Sequence, residues 1–184
     1  MNLISENIGT VDYLNQIQPV QITDAFFERE PLHVAQSLLG KIIAVKHDNL
    51  WLMARIIETE AYYRQEKASH SSLGYTAKRK ALFMSPGTIY MYYARGGDSL
   101  NFSCLGDGNA VLIKSGYPVV KDAEGLASII AMQKNNPNRD GSRRPVGGLC
   151  AGQTLLCKSL NLLVADWDAQ QLTPHHLELW DDAY

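Results

Sequence analysis

Long apolar runs are missing from this 184-residue chain. A membrane span needs about 20 consecutive apolar residues, and no stretch approaches that length. The start, Met1-Asn2-Leu3-Ile4-Ser5-Glu6, has neither the cationic stretch nor the apolar core of a secretory signal. A soluble, cytoplasmic protein without membrane partners is therefore expected. Cysteine is scarce: Cys104, Cys150 and Cys157 are odd in number and lack metal-site spacing, so no metal is expected. Cys150 and Cys157 lie seven apart, on one helical face, and read as small buried hydrophobes. An excess of one charge is lacking too, since 17 basic against 19 acidic residues leave a net charge of −2. The chain as a whole thus carries no nucleic-acid signature, although a local cluster of cations still binds phosphate. Internal repeats and low-complexity tracts are also missing. What is present, 46% hydrophobic residues in a chain of this length, suffices for one domain with a real core.

Residues 1–21 are polar and weakly patterned and read as an N-terminal extension, leaving 22–184 as the domain. Asp24 starts a short turn carrying Phe26 and Phe27. Pro31 suits the first position of a helix ending at Gly40, with Leu32, Ala35, Leu38 and Leu39 on its apolar side. Lys41–Lys46, the turn His47-Asp48-Asn49 and Leu50–Glu60 read as a β-hairpin. Residues 63–80 form a long polar loop, which in a small domain is usually functional. Strands are expected over Thr88–Tyr93, Ser99–Leu105 and Ala110–Lys114. Helices are expected from Asp122 to about Asn135, with Leu126, Ile129, Ile130 and Met132 apolar, and from Leu149 to Leu160, before an acidic tail. Strands that come as hairpins with helices around them point to α+β, a single domain around a mainly antiparallel sheet.

Chemistry concentrates in Arg55-Ile56-Ile57-Glu58-Thr59-Glu60-Ala61-Tyr62. If the strand continues that far, Glu58, Glu60 and Tyr62 share one face. A carboxylate where a buried strand runs out is a rigid mount for a catalytic base. An exposed acidic strand end is the alternative, and the octapeptide does not choose between Glu58 and Glu60.

The stretch belongs to a longer series: Phe26-Phe27, Leu38-Leu39-Gly40, Ile57-Glu58-Thr59-Glu60-Ala61-Tyr62, His70-Ser71 and Phe83-Met84. Pro86-Gly87-Thr88-Ile89-Tyr90-Met91-Tyr92, Asn101 and Gly106-Asp107-Gly108 continue it in order. With these motifs, the run from Phe26 to about Leu163 resembles the alkyladenine (3-methyladenine) DNA glycosylase family. The resemblance covers roughly three quarters of the chain, and ordered agreement over several motifs is far more specific than one pattern.

The resemblance implies an α+β domain around a curved antiparallel sheet, damaged double-stranded DNA as partner, no cofactor and a monomer. It implies hydrolytic release of alkylated or deaminated purines in base excision repair, or else a relative that binds damaged DNA without efficient catalysis. It assigns the base pocket to Tyr62, His70 and Tyr92, with Asn101 at its floor crowding the exocyclic amine of normal guanine. It makes Glu60 the catalytic carboxylate, and it puts Lys114 where most members carry an arginine that helps hold the attacking water. Lysine keeps the charge but loses the planar fork. The motifs offer no lysine nucleophile, so a monofunctional enzyme is expected. DNA contacts are expected from Lys78, Arg79, Arg95 and Arg143, with Arg95 near the position of the side chain that wedges into the duplex. Two further departures are Gly152-Gln153-Thr154-Leu155 in place of a Gly-Pro-x-Lys helix start, and a chain end at Tyr184 ahead of the family's Pro-Trp-Arg-Phe-containing segment.

Overall fold

The computed structural model describes residues 19–94, 96–120 and 123–183. Among them, seven strands form one antiparallel sheet: β1 (Val20–Ile22), β2 (Ile42–His47), β3 (Leu50–Tyr62), β4 (Ile89–Ala94), β5 (Gly97–Ser103), β6 (Ala110–Pro118) and β7 (Leu177–Asp181). Their order is β1-β7-β2-β3-β6-β5-β4, and the sheet curls into a half-barrel. Helices α1 (Pro31–Leu38), α2 (Ala123–Asn135), α3 (Gln153–Ser159) and α4 (Val164–Trp167) flank it. The architecture is α+β, as the hairpin pattern indicates.

Proline at the first helical position pre-sets the backbone of α1. Its buried stripe is Pro31, Val34, Ala35 and Leu38, at three- and four-residue spacing. Leu32 and Leu39, which the pattern puts on the apolar side, fall off that stripe and are exposed. In α2 the stripe is Ile129 and Met132, while Leu126 and Ile130 face outward. The last predicted helix starts at Gln153 rather than Leu149, because Gly152 has φ 127°, a backbone conformation outside the helical region. The loop after β3 is partly ordered into 3-10 turns at His70–Leu73 and Ala77–Phe83.

Two corrections fall at the ends of the described chain. Val20 and Gln21, in the stretch read as an extension, belong to β1 and pair with Asp181 and Trp180 of β7. The acidic tail contains β7 itself, which inserts between β1 and β2. Leu177 and Leu179 enter the core, and between them the buried Glu178 accepts hydrogen bonds from the Trp180 indole and the His175 backbone N–H.

The feature that positions the site lies in β3. Its first half sends Leu52, Ala54 and Ile56 into the core, and regular alternation puts Glu58 and Glu60 on that same sheet face. The β3–β6 register shifts between Ile56 and Glu58 and shifts back between Glu58 and Thr59. Beyond this bulge it is Ala61 that packs on the core, and on β6 Val111 and Ile113 do the same. Bulges kink a strand and re-aim its side chains. Here the re-aimed side chain is that of Glu58, while Glu60 and Tyr62, on the face opposite Ala61, keep the register of the strand's first half.

Candidate active site

One register row crosses four strands: Tyr90 of β4 opposes Asn101 of β5, Asn101 opposes Leu112 of β6, and Leu112 opposes Glu60 of β3. Residues in one row share a sheet face, so the topology brings together side chains from distant parts of the sequence. Tyr92 lies two residues beyond Tyr90, Lys114 two beyond Leu112 and Tyr62 two beyond Glu60. Together with Ala94, Ala110, Gln153 and the segment Ala68-Ser69-His70 they line a cavity of about 330 Å³, with Leu82 also in its wall.

Within it the Glu60 carboxylate is gripped from two sides. The Tyr62 hydroxyl donates to Oε2 at 2.6 Å. The Lys114 ammonium lies 2.9 Å from Oε1, with both side chains about a third exposed. Burial, reinforced by the hydrogen bond and charge of Glu60, pushes the Tyr62 phenol well above the usual tyrosine range. The phenol therefore keeps its proton and acts as a donor.

Opposite stand the rings. His70 Nδ1 and the Tyr90 hydroxyl are hydrogen-bonded at 2.9 Å, and the His70 ring lies 4.4 Å from that of Tyr92, tilted by 58°. Partial burial, and secondarily the Arg79 charge, hold the His70 pKa below the ordinary value, which favours neutral imidazole. Burial pushes Tyr90 up to about 12. Asn101 is buried at the floor and donates through Nδ2 to the Tyr90 carbonyl at 3.1 Å. Gln153, at the start of α3, donates to the Ser99 hydroxyl at 2.7 Å and reaches the Tyr92 hydroxyl at 3.5 Å.

The structure thus gathers Glu60, Lys114, Tyr62, His70, Tyr92 and Asn101 around one cavity. Glu58 does not line it: its carboxylate accepts from Ser115 at 3.0 Å across the bulge, so the three-residue face expected of a regular strand is reduced to Glu60 and Tyr62. Tyr90 and Gln153 enlarge the set. Tyr90 was legible as the strand neighbour two residues before Tyr92, whereas nothing in the sequence marks Gln153.

Lys78 is exposed on the 3-10 turn whose Leu82 lines the cavity, and Arg79 beside it donates to the Gly74 carbonyl at 2.8 Å. Arg143 is exposed at a second cavity of about 310 Å³ beside the C-terminal half of α2. Arg95 lies outside the described residues. Among the described residues no group of three His, Cys, Asp or Glu could hold a metal ion, and no helix is long and apolar enough to cross a membrane.

Comparison with known proteins adds an independent line. The profile of the methylpurine-DNA glycosylase family matches residues 25–183. A protein of Pseudomonas fluorescens (strain Pf0-1), provisionally named 3-methyladenine DNA glycosylase, is 58% identical over 173 residues, or 94% of this chain and 74% of its own. A protein of Pseudomonas aeruginosa (strain UCBPP-PA14) with the same provisional name is 60% identical over 156 residues, 85% of this chain and 65% of its own. A third, from Koribacter versatilis (strain Ellin345), is 39% identical over 110 residues. This chain therefore spans 65% to 74% of the length of the two Pseudomonas relatives.

Proposed function

The chain belongs to the methylpurine-DNA glycosylase family, and from that premise we propose that it is a DNA glycosylase releasing alkylated purines from duplex DNA by hydrolysis. A purine inside a duplex is out of reach until its nucleotide is flipped from the stack. Alkylation at a ring nitrogen makes the base cationic, and a pocket walled by Tyr62, His70 and Tyr92 attracts such a base by stacking and by the electron-rich ring faces. A neutral His70 adds no charge to repel it. Asn101, fixed by its bond to the Tyr90 carbonyl, crowds the exocyclic amine of normal guanine.

Cleavage develops positive charge on the sugar while water approaches C1′. Glu60 orients and deprotonates that water, and its charge stabilises the sugar cation. The single observation that carries this reading is the grip on Glu60, with a phenol at 2.6 Å and an ammonium at 2.9 Å in the wall of an aromatic cavity. A carboxylate fixed on a strand by two partners is preorganised for one geometry. Lys78, Arg79, Arg95 and Arg143 contact phosphate around the flipped nucleotide.

A base-release assay on duplexes carrying 3-methyladenine, 7-methylguanine, 1,N6-ethenoadenine or hypoxanthine tests the proposal. Release of the cationic 3-methyladenine and 7-methylguanine ahead of neutral hypoxanthine is expected, because their glycosidic bonds are already labile. Tight lesion binding with no release from any duplex would replace the enzyme by a damage-binding relative.

A further inference from the structure

The motifs offer no lysine nucleophile, yet the folded chain puts a lysine in the cavity. Lys114 stands on β6 with its Nζ 2.9 Å from Glu60 Oε1. Its side chain is 29% exposed, so the amine is directed to the carboxylate rather than to bulk water. Where the resemblance expects arginine, this chain carries the one cationic side chain that can become a nucleophile. A guanidinium keeps its proton in proteins, whereas an ammonium that gives one up is an amine.

Glu60 meets both requirements of such an amine. It is a proton acceptor in direct contact, and it marks the position of the sugar. A base that activates water for attack on C1′ must lie within hydrogen-bond reach of that water. An amine touching the other oxygen of the same carboxylate stands in the same neighbourhood. Once the purine has left, the cavity loses its occupant and Lys114 has space to advance.

We propose that Lys114 gives this protein a second activity, abasic-site lyase chemistry through a Schiff base; the proposal rests on the reading of Glu60 as the base that faces the sugar. The released sugar opens to an aldehyde at C1′. Glu60 takes a proton from Nζ, the freed lone pair attacks C1′, and the aldehyde oxygen leaves as water with the proton returned by Glu60. The product is a protonated imine between Nζ and C1′. Its positive charge acidifies C2′, and the carboxylate removes a proton there. The C3′–O bond then breaks, and the 3′ phosphate departs with the bonding electrons. Water hydrolyses the conjugated imine, which releases an unsaturated aldehyde and restores the amine. No oxidant or reductant is consumed.

The test uses the full chain and a duplex with a preformed abasic site, so it needs no base release. Sodium borohydride in the reaction reduces the imine to a stable amine, and a denaturing gel reads the covalent complex. The expected result is a trapped band, a peptide map placing the adduct on Lys114, and strand nicking 3′ to the site without borohydride. Lys114→Arg keeps the charge beside Glu60 but lacks a nucleophile, and trapping falls to the background of protein-free duplex. An adduct mapped to another amine overturns the proposal, and so does full trapping by Lys114→Arg. Absence of any trapped band from the wild-type chain likewise overturns it, leaving Lys114 a counter-ion only. Base release measured separately on 7-methylguanine duplex shows whether the glycosylase reading stands when the lyase reading falls.

Discussion

Tyr62 has a ring and a hydroxyl with different work: the ring helps wall the cavity, while the hydroxyl holds Glu60 Oε2 at 2.6 Å. Tyr62→Phe separates the two. A hydrogen bond to a charged group is worth about 1.5–3 kcal/mol, or roughly 10–150-fold in rate if all of it is lost from the transition state. The expected outcome is single-turnover base release slowed within that range with lesion affinity nearly unchanged. Equal loss of affinity and rate would show that the hydroxyl matters for binding instead. His70 gives a pH dependence. Its folded-state pKa lies below the ordinary 6.5, so as pH falls the unfolded chain takes up the proton first. The stability contributed by neutral His70 is full above about pH 6.5 and is lost as pH falls from there toward the folded-state value. Denaturant titrations at several pH values check it: the wild-type chain loses more stability between pH 7 and 5 than His70→Asn does, and parallel curves would refute the shift.

At the scale of elements, α3 reaches the sheet only because Gly97 has no side chain. A Cβ there would sit 2.7 Å from Thr154 Cβ, closer than real Cβ contacts. Gly97→Ala must push α3 off β5, and overpacking of this kind costs roughly 1–3 kcal/mol. Denaturant unfolding should show that loss, with base release also reduced because α3 carries Gln153 against Ser99 and Tyr92. An unchanged midpoint would mean that the helix yields freely. Elements were legible in the sequence where one local rule decides them. Pro31 started α1, and the turn at His47-Asp48-Asn49 closed the β2–β3 hairpin, because each needs only neighbouring residues. Elements that depend on distant partners were not legible. The irregularity that takes Glu58 out of the row comes from how β3 meets β6, so alternation alone put Glu58 beside Glu60 in error. Strand β7 is short and has the acidic Glu178 between its two core leucines, and it is flanked by β1 and β2 on both sides. The six residues around the cavity were legible through their motifs and Tyr90 through its place two residues before Tyr92, while Gln153 arrives only through the packing of α3.

For the whole molecule, a net charge of −2 is poorly suited to a polyanion unless cations gather at one place. Lys78 and Lys80 are exposed on the turn beside the cavity and are candidates for that place. Each phosphate neutralised contributes about −0.9 to the slope of log affinity against log salt for duplex DNA. Lys78→Ala with Lys80→Ala should therefore make the slope shallower by about two, as read by titration at several salt concentrations. An unchanged slope would move the DNA contacts elsewhere on the surface. The central claim is that Glu60, held in the wall of an aromatic cavity by Tyr62 and Lys114, is the base that activates water. Its most direct test is single-turnover release of 7-methylguanine from duplex DNA by the wild-type chain, Glu60→Gln and Glu58→Gln. The expected result is release by wild type and by Glu58→Gln, with Glu60→Gln slower by about 10²–10⁴-fold while its duplex affinity stays within a few-fold. Release at the wild-type rate by Glu60→Gln, or loss confined to Glu58→Gln, would contradict it.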